Sequence, residues 1–342
     1  MTEGVNIAAL QAWMDAQEVG QGEIASVRAL AGGTQNILLH FRRGDDAYVL
    51  RRPPIRLRAN SNEAMRREAR LLAALAASAV PHPRLVAACP DERILGAAFY
   101  LMEPVDGFNP TMGLPPLHSQ DARIRHRIGL SMIEAIAALA AIDYREAGLE
   151  DFGKIDNYLA RQTGRWGDQL ASYVEHAGWP GPGGIPGVDK VARWLDAHRP
   201  STFAPAIIHG DFHLANVMVS PGSGEVAALV DWELSTIGDP LLDLGWLLAT
   251  WPEGEVPRPT DVAATPWAGF AASGELVAHY SLVANRPLDA LDWYVVLACY
   301  KLGIILEGTY ARACAGKAPR ETGARLHAHA IDLFDRALRR IS

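Results

Sequence analysis

Cysteine is scarce in this sequence. Cys89, Cys299 and Cys314 are the whole set among 342 residues, odd in number and far apart. That argues against a disulfide framework, and no pair stands at metal-ligand spacing, so free thiols in a reducing compartment, the cytoplasm, are expected. Long apolar runs are missing too: no stretch approaches the roughly eighteen uninterrupted apolar residues that span a bilayer, and no membrane partner is expected. The start, Met1-Thr2-Glu3-Gly4, lacks a basic segment followed by an apolar core, so no signal peptide is expected. Positive charge is not in excess either. A net charge of −7 gives no general attraction for nucleic acid or anionic lipid, so any affinity for phosphate must come from a local site.

What is present suits a folded enzyme. With 49% hydrophobic and 21% charged residues, the chain can bury a sizeable core, and its length suits two lobes with a cleft between them. The most informative stretch runs Ile207-Ile208-His209-Gly210-Asp211-Phe212-His213-Leu214-Ala215-Asn216, with Asp231-Trp232-Glu233 beginning fifteen residues after Asn216. An apolar run from Ala206 to Ile208 delivers the chain to a loop. Val217-Met218-Val219 leaves it as a short strand, Pro221-Gly222-Ser223-Gly224 turns it, and Val226 to Val230 returns it. Asp211, Asn216 and Asp231 are therefore expected to converge at the ends of paired strands.

Phosphoryl transfer explains these residue types. Magnesium at a phosphate terminus takes hard oxygen ligands, few of them from protein, and Asn216 and Asp231 offer such oxygens. A hydroxyl acceptor needs a carboxylate to orient it and take its proton, and Asp211 is the candidate. His209, Asp211 and His213 also admit a reading as a transition-metal cluster. The phosphotransfer reading accounts for the same letters together with Asn216 and Asp231.

The spacing resembles the catalytic loop of protein kinases, in which a loop Asp is followed five residues later by a metal-binding Asn and then by the Asp of a D-F-G segment. The His-Gly-Asp-Phe-His start resembles the aminoglycoside phosphotransferase and choline kinase branch of that superfamily. Leu50-Arg51-Arg52-Pro53-Pro54 and Tyr158-Leu159-Ala160-Arg161-Gln162 look most like the kinase domains related to those fused to acyl-CoA dehydrogenases. The resemblance implies an α+β, bilobal protein-kinase-like fold with a small antiparallel-sheet N-lobe (1–104) and a mainly helical C-lobe (105–342). It also implies ATP, or GTP, and Mg2+ as cofactors and a small-molecule hydroxyl as acceptor. The oligomeric state is left open.

The first hundred residues read as strand-rich. After a helix over Ile7 to Gln17, two strand-like runs, Glu23 to Leu30 and Asn36 to Arg42, flank Ala31-Gly32-Gly33-Thr34-Gln35. Gly32 and Gly33 suit a backbone approaching phosphate closely, although on the residues alone an ordinary turn is the preferred reading. A third strand, Ala47 to Arg51, precedes a helix over Ser61 to Ala77 with Ala64, Leu71, Leu72 and Leu75 at core spacing. By resemblance, Arg51 takes the phosphate-pairing position of a kinase Lys and Glu68 is its partner, with Arg52 a possible substitute. A surface ion pair is the plainer alternative. An apolar strand from Ala97 to Met102 ends at Glu103-Pro104-Val105. The resemblance makes this the hinge, with Met102 lining the adenine pocket and the Glu103 carbonyl and Val105 amide bonding the adenine edge.

The remaining chain reads as helical, including Ala122 to Ile142 with Ile128, Met132, Ile136 and Leu139 along one face. Asp151-Phe152-Gly153 spells the kinase metal motif but precedes Asp211, follows no apolar strand and is read as a decoy. Asp239 is expected to cap a helix, and Asp243, by resemblance, to support the catalytic loop from below. Tyr158 to Tyr173, with Arg161, Gln162, Arg165 and Trp166, and also Tyr300, Glu307, Tyr310 and Arg312, are candidates to bind the acceptor. The aromatic and basic character of the segment from Tyr158 favours an acidic or partly apolar acceptor, a hydroxyacyl thioester for example, over a cationic aminoglycoside, with an aminoglycoside-like compound kept as the other acceptor class. A nucleotide-binding pseudokinase acting as sensor or scaffold is the alternative function. A protein kinase is disfavoured because no Ala-Pro-Glu segment follows Asp231.

Overall fold

Alternating burial along Ile37–Arg43 dictates a sheet with one face on a core. The computed structural model describes residues 4–30, 36–254, 256–258 and 260–342. Helix α1 (Ile7–Ala16) is followed by β1 (Ile24–Ala29), β2 (Ile37–Arg43), β3 (Asp46–Arg52), helix α2 (Ser61–Leu75), β4 (Leu85–Cys89), the short α3 (Glu92–Leu95) and β5 (Phe99–Met102). The five strands form one antiparallel sheet in the order β1-β2-β3-β5-β4. One face carries Leu39, Phe41, Leu50 and Leu101, fully buried against Leu10 and Met14 of α1.

The residues after Met102 are stitched onto the next part of the chain. Phe108 and Val219 exchange backbone hydrogen bonds of 3.0 and 2.8 Å. Helices α4 (Pro116–Gln120) and α5 (Ala122–Ala140) come next, and α5 buries Ile128, Met132, Ile136 and Leu139 as its periodicity requires. Then follow α6 (Ala160–Ser172), α7 (Val188–Ala197), β6 (Ala206–Ile208), β7 (Val217–Val219), β8 (Val226–Leu229), β9 (Thr236–Gly238), α8 (Leu241–Thr250), α9 (Ser273–Val283), α10 (Leu291–Cys314) and α11 (Arg320–Arg340). Two small antiparallel pairs, β6 with β9 and β7 with β8, frame the loop between β6 and β7.

Two features depart from the sequence expectation. Helix α2 buries Met65, Glu68 and Ala69 as well as its three leucines, while Ala64 is only partly covered. Helix α10 is long and apolar enough to cross a membrane by length and composition, with 67% of its apolar window buried inside the fold. Core packing accounts for that apolarity, since Val296, Leu297, Ile304 and Ala311 belong to the large hydrophobic cluster. The three cysteines are free thiols.

Candidate active site

The loop between β6 and β7 is held from several sides. The Asp243 carboxylate, in the first turn of α8, accepts the His209 amide at 2.7 Å and the Gly210 amide at 2.8 Å. One side chain thereby satisfies two backbone donors that would otherwise be buried without partners. Burial pushes its pKa up to about 7, against the pull of the two amides and of Lys301. His209, fully buried, has its Nε2 2.9 Å from the Val230 carbonyl, which ties the loop to the end of β8. Its role is to buttress the loop, and burial lowers its pKa. Gly210 is required by shape: its φ is +83°, and an added Cβ would lie 2.3 Å from the Leu234 carbonyl oxygen.

Asp211, Asn216 and Asp231 come together as the spacing demands. Asn216 donates through Nδ2 to the Asp211 carbonyl at 2.9 Å and to its Oδ2 at 3.1 Å. His213 Nε2 lies 3.5 Å from Asp211 Oδ1. Burial pushes the Asp211 carboxyl upward, but the His213 contact and the positive fields of His213, His209 and Lys301 outweigh it and hold the pKa at about 2. Asp231 follows β8 with φ 66° and ψ 64°, a left-handed conformation that Asp tolerates better than most residues. Among the described residues no group of three or more His, Cys, Asp or Glu side chains gathers to hold a metal, so His209, Asp211 and His213 form no such cluster.

Arg51 connects the sheet to this loop. Successive residues of a strand point to opposite faces, so the neighbouring arginines diverge. Arg51 meets Glu68 of α2 at 2.9 Å and Asp231 Oδ1 at 2.8 Å, whereas Arg52 donates to the Pro53 and Leu95 carbonyls. Tyr100, paired with Arg51 across β3 and β5, donates to Glu68 Oε2 at 2.9 Å. Burial works against the Arg51 charge, but Glu68 above all, then Tyr100 and Asp231, outweigh it and keep the guanidinium ionised. The order Tyr100, Glu68, Arg51, Asp231 thus runs from the buried sheet to the more open carboxylate, whose side chain is 41% exposed.

The other expected residues fall as follows. Met102 is half-buried at the end of β5, opposite Val49 and Leu85. Glu103 is exposed and its amide donates to the Arg84 carbonyl at 2.9 Å, while Val105 is half-buried two residues on. Gly32 and Gly33 lie outside the described residues. Asp151 of the decoy motif is an exposed partner of Arg70 at 2.5 Å, far from a ligand role. Phe152 is buried, and its carbonyl accepts from Arg67 of α2.

A cavity of about 850 Å³ opens beside Gly210, between α6, α10 and the start of α8. Five basic side chains line it, Arg67, Lys154, Arg161, Arg165 and Lys301, against two acids, Asp168 and Glu233. Trp166, Trp246, Leu234 and Ile305 add apolar surface. Glu233 is held with a raised pKa, first by burial and then by the Asp231 charge. Tyr300, Glu307, Tyr310 and Arg312, expected at the acceptor, do not line this cavity. Glu307 is fully buried between Trp179 (2.7 Å) and His327 (2.7 Å), and Tyr310 stacks on His327. Arg67, Lys301 and Trp246 went unnoticed in the sequence, although a lone Lys inside the apolar Tyr300-Lys301-Leu302-Gly303-Ile304 run was a usable signal.

This arrangement has known counterparts. The sequence model of the phosphotransferase enzyme family matches residues 26–273. Acyl-CoA dehydrogenase family member 10 of Mus musculus is 31% identical over 301 residues, covering 85% of this chain and 27% of that protein. The chain therefore spans well under half the length of this curated relative. A structure from Ralstonia eutropha assigned as an aminoglycoside phosphotransferase is 29% identical, with a TM-score of 0.80 over 98% of this chain and 99% of that one. Aminoglycoside phosphotransferase APH(4)-Ia, in a ternary complex with AMP-PNP and hygromycin B, shares the fold at 15% identity, with a TM-score of 0.55 over 94% and 97% of the two chains. The five-stranded sheet and the helical remainder agree with these matches, and the chain belongs to the phosphotransferase enzyme family, with a protein-kinase-like fold.

Proposed function

We propose that the chain transfers the terminal phosphoryl group of ATP, or of GTP, to a hydroxyl of a small anionic acceptor in the cytoplasm, with a hydroxyacyl thioester as the first candidate class. The observation that carries this reading is the charge of the cavity beside Gly210, five basic side chains against two acidic ones. Arg161 and Arg165 stand one helical turn apart on α6, where like charges repel unless an anion lies between them. Such a wall repels a polycationic aminoglycoside and attracts a carboxylate, phosphate or thioester-linked anion. Leu234, Ile305 and the two tryptophans suit an acyl chain.

The reaction needs little covalent chemistry from the protein. As the acceptor oxygen bonds to the terminal phosphorus, the bond from that phosphorus to the bridging oxygen breaks and the nucleoside diphosphate leaves. Asp211 orients the hydroxyl and takes its proton. With a pKa held near 2 it is ionised at neutral pH and serves as a late proton acceptor, in keeping with a loose transition state. The residues fit magnesium. The Nδ2 of Asn216 is committed to Asp211, which fixes its carboxamide, and the Asp231 carboxylate is partly open, so each offers a hard oxygen. Magnesium, when bound there, offsets phosphate charge. Arg51, fixed by Glu68, positions the nucleotide phosphates. Met102, the Glu103 carbonyl and the Val105 amide receive the base, with the lobes divided at 104/105.

The test is magnesium-dependent transfer with mass detection of products across hydroxyacyl thioesters, free hydroxy acids, choline-like amines and hygromycin B. The expected product is a phosphorylated anionic acceptor. Transfer to hygromycin B alone would contradict the acceptor assignment, and nucleotide binding without any transfer would favour a pseudokinase.

A further inference from the structure

Lys301 is the one charged residue in the middle of α10 that looks into the acceptor cavity. Its ammonium donates to the Gly210 carbonyl at 3.2 Å, one residue from Asp211. The indole faces of Trp246 and Trp166 lie 4.4 and 5.5 Å away, a cation–π setting that fixes the ammonium without supplying an acceptor oxygen. An ammonium carries three donors. Among the described residues Lys301 has a single hydrogen bond and no ion pair, with Asp211 and Asp243 acting on it only through space. A half-desolvated cation with donors to spare, aimed at a cavity and anchored next to the reacting loop, is suited to a ligand rather than to the fold.

We propose that Lys301 binds the acceptor directly, taking a carboxylate or carbonyl oxygen that lies a few bonds from the hydroxyl oriented by Asp211. This rests on the anionic-acceptor reading above and adds to it a position: the acceptor's polar oxygen must stand close to its reacting hydroxyl. A short hydroxy acid or its thioester has that arrangement, whereas a compound whose anionic group is remote from the hydroxyl lacks it. Arg161, Arg165 and Lys154, farther along the cavity wall, remain available to a more distant anion. Burial pulls the Lys301 pKa down to about 8, opposed by Asp211 and Asp243 and assisted by Arg165, so the group loses its charge just above neutrality.

The experiment compares wild type, Lys301→Met and Lys301→Arg with 3-hydroxybutyrate, its coenzyme A thioester and the neutral butane-1,3-diol as acceptors. Thermal stabilisation by magnesium and AMP-PNP serves as the control for folding. For the hydroxy acid and the thioester, Lys301→Met is expected to raise acceptor KM about 10- to 100-fold, the range of a charge-assisted hydrogen bond, with nucleotide KM unchanged and kcat much less affected. Lys301→Arg should restore most of the affinity. Acceptor KM of wild type should climb as pH passes 8, and that of Lys301→Arg should stay flat. Transfer by wild type with acceptor KM and its pH profile unchanged in Lys301→Met would overturn the Lys301 assignment alone. A loss confined to kcat would do the same, since it would mark Lys301 as a support for the loop. Absence of transfer by wild type to the hydroxy acid and thioester, with the diol accepted instead, would overturn the anionic-acceptor reading and this inference with it.

Discussion

Gly210 occupies a position that no other residue can take without moving the loop it belongs to. A Cβ there meets the Leu234 carbonyl at 2.3 Å, and the backbone sits at φ +83°. Gly210→Ala is expected to cost about 2–4 kcal/mol, from left-handed strain and a displaced Leu234, and to lower kcat because the shift falls next to Asp211. Chemical denaturation with activity measured alongside checks this, and a fully stable, fully active variant would contradict the geometry. At this scale the sequence was most informative where chemistry demands fixed residue types at fixed spacing, as for Asp211, Asn216 and Asp231. It was silent on Arg51 against Arg52, because the choice depends on which face of β3 meets α2. Tyr100 and Lys301 escaped for a related reason: their partners, Glu68 and Gly210, are distant in the chain and meet only through the fold.

Helix α2 links the sheet to the rest of the molecule. Its inner face, with Met65, Leu71 and Leu72, belongs to the large hydrophobic cluster and not to the smaller one beneath the sheet. Arg67 fastens it: the guanidinium lies 4.2 Å over the Phe152 ring and donates to the Phe152 and Ser235 carbonyls at 2.8 and 3.3 Å. The neighbouring Glu68 holds Arg51, so a looser α2 loosens the phosphate side of the site. Arg67→Met is expected to raise the KM for the magnesium nucleotide about 3- to 10-fold and to cost about 1–3 kcal/mol of stability. An unchanged nucleotide KM, measured at saturating acceptor, would separate α2 placement from nucleotide binding. The Asp151-Phe152-Gly153 segment thus has a structural reason to exist. Phe152 is the platform for Arg67, and Gly153 packs where a Cβ would lie 2.4 Å from Thr236 Oγ1. Helix periodicity located α2 and α5 in the sequence, but neither the bounds of α10 nor which of its turns faces the cavity. Tyr300, Glu307 and Tyr310 therefore looked as eligible as Lys301.

On the scale of the whole molecule, a sheet-bearing part and a helical part meet at Asp231, where Arg51 from β3 reaches the loop after β8. A ligand that binds Arg51 and Asp231 together draws on both parts, so magnesium with ATP should raise the melting temperature more than either alone, by an amount equivalent to about 2.7 kcal/mol at a hundredfold excess over Kd. Asp231→Ala should abolish the magnesium-dependent share of that gain, and an undiminished gain in the variant would remove Asp231 from the metal site. Individual strands and helices were legible from apolar patterning and helix periodicity, while their assembly into a sheet and a helical remainder was implied by the family resemblance. The charge of the cavity beside Gly210 was only partly legible, because its basic residues come from α2, α6, α10 and the segment before α6, and no local pattern joins them.

Phosphoryl transfer to a hydroxyl at Asp211 is tested most directly by following the terminal phosphate of ATP onto an anionic acceptor with wild type and Asp211→Asn side by side. The expected result is an acceptor heavier by one phosphoryl group with wild type and a rate about 10²- to 10⁴-fold lower with the variant, at nearly unchanged magnesium-nucleotide affinity. Equal turnover in the two proteins would contradict it.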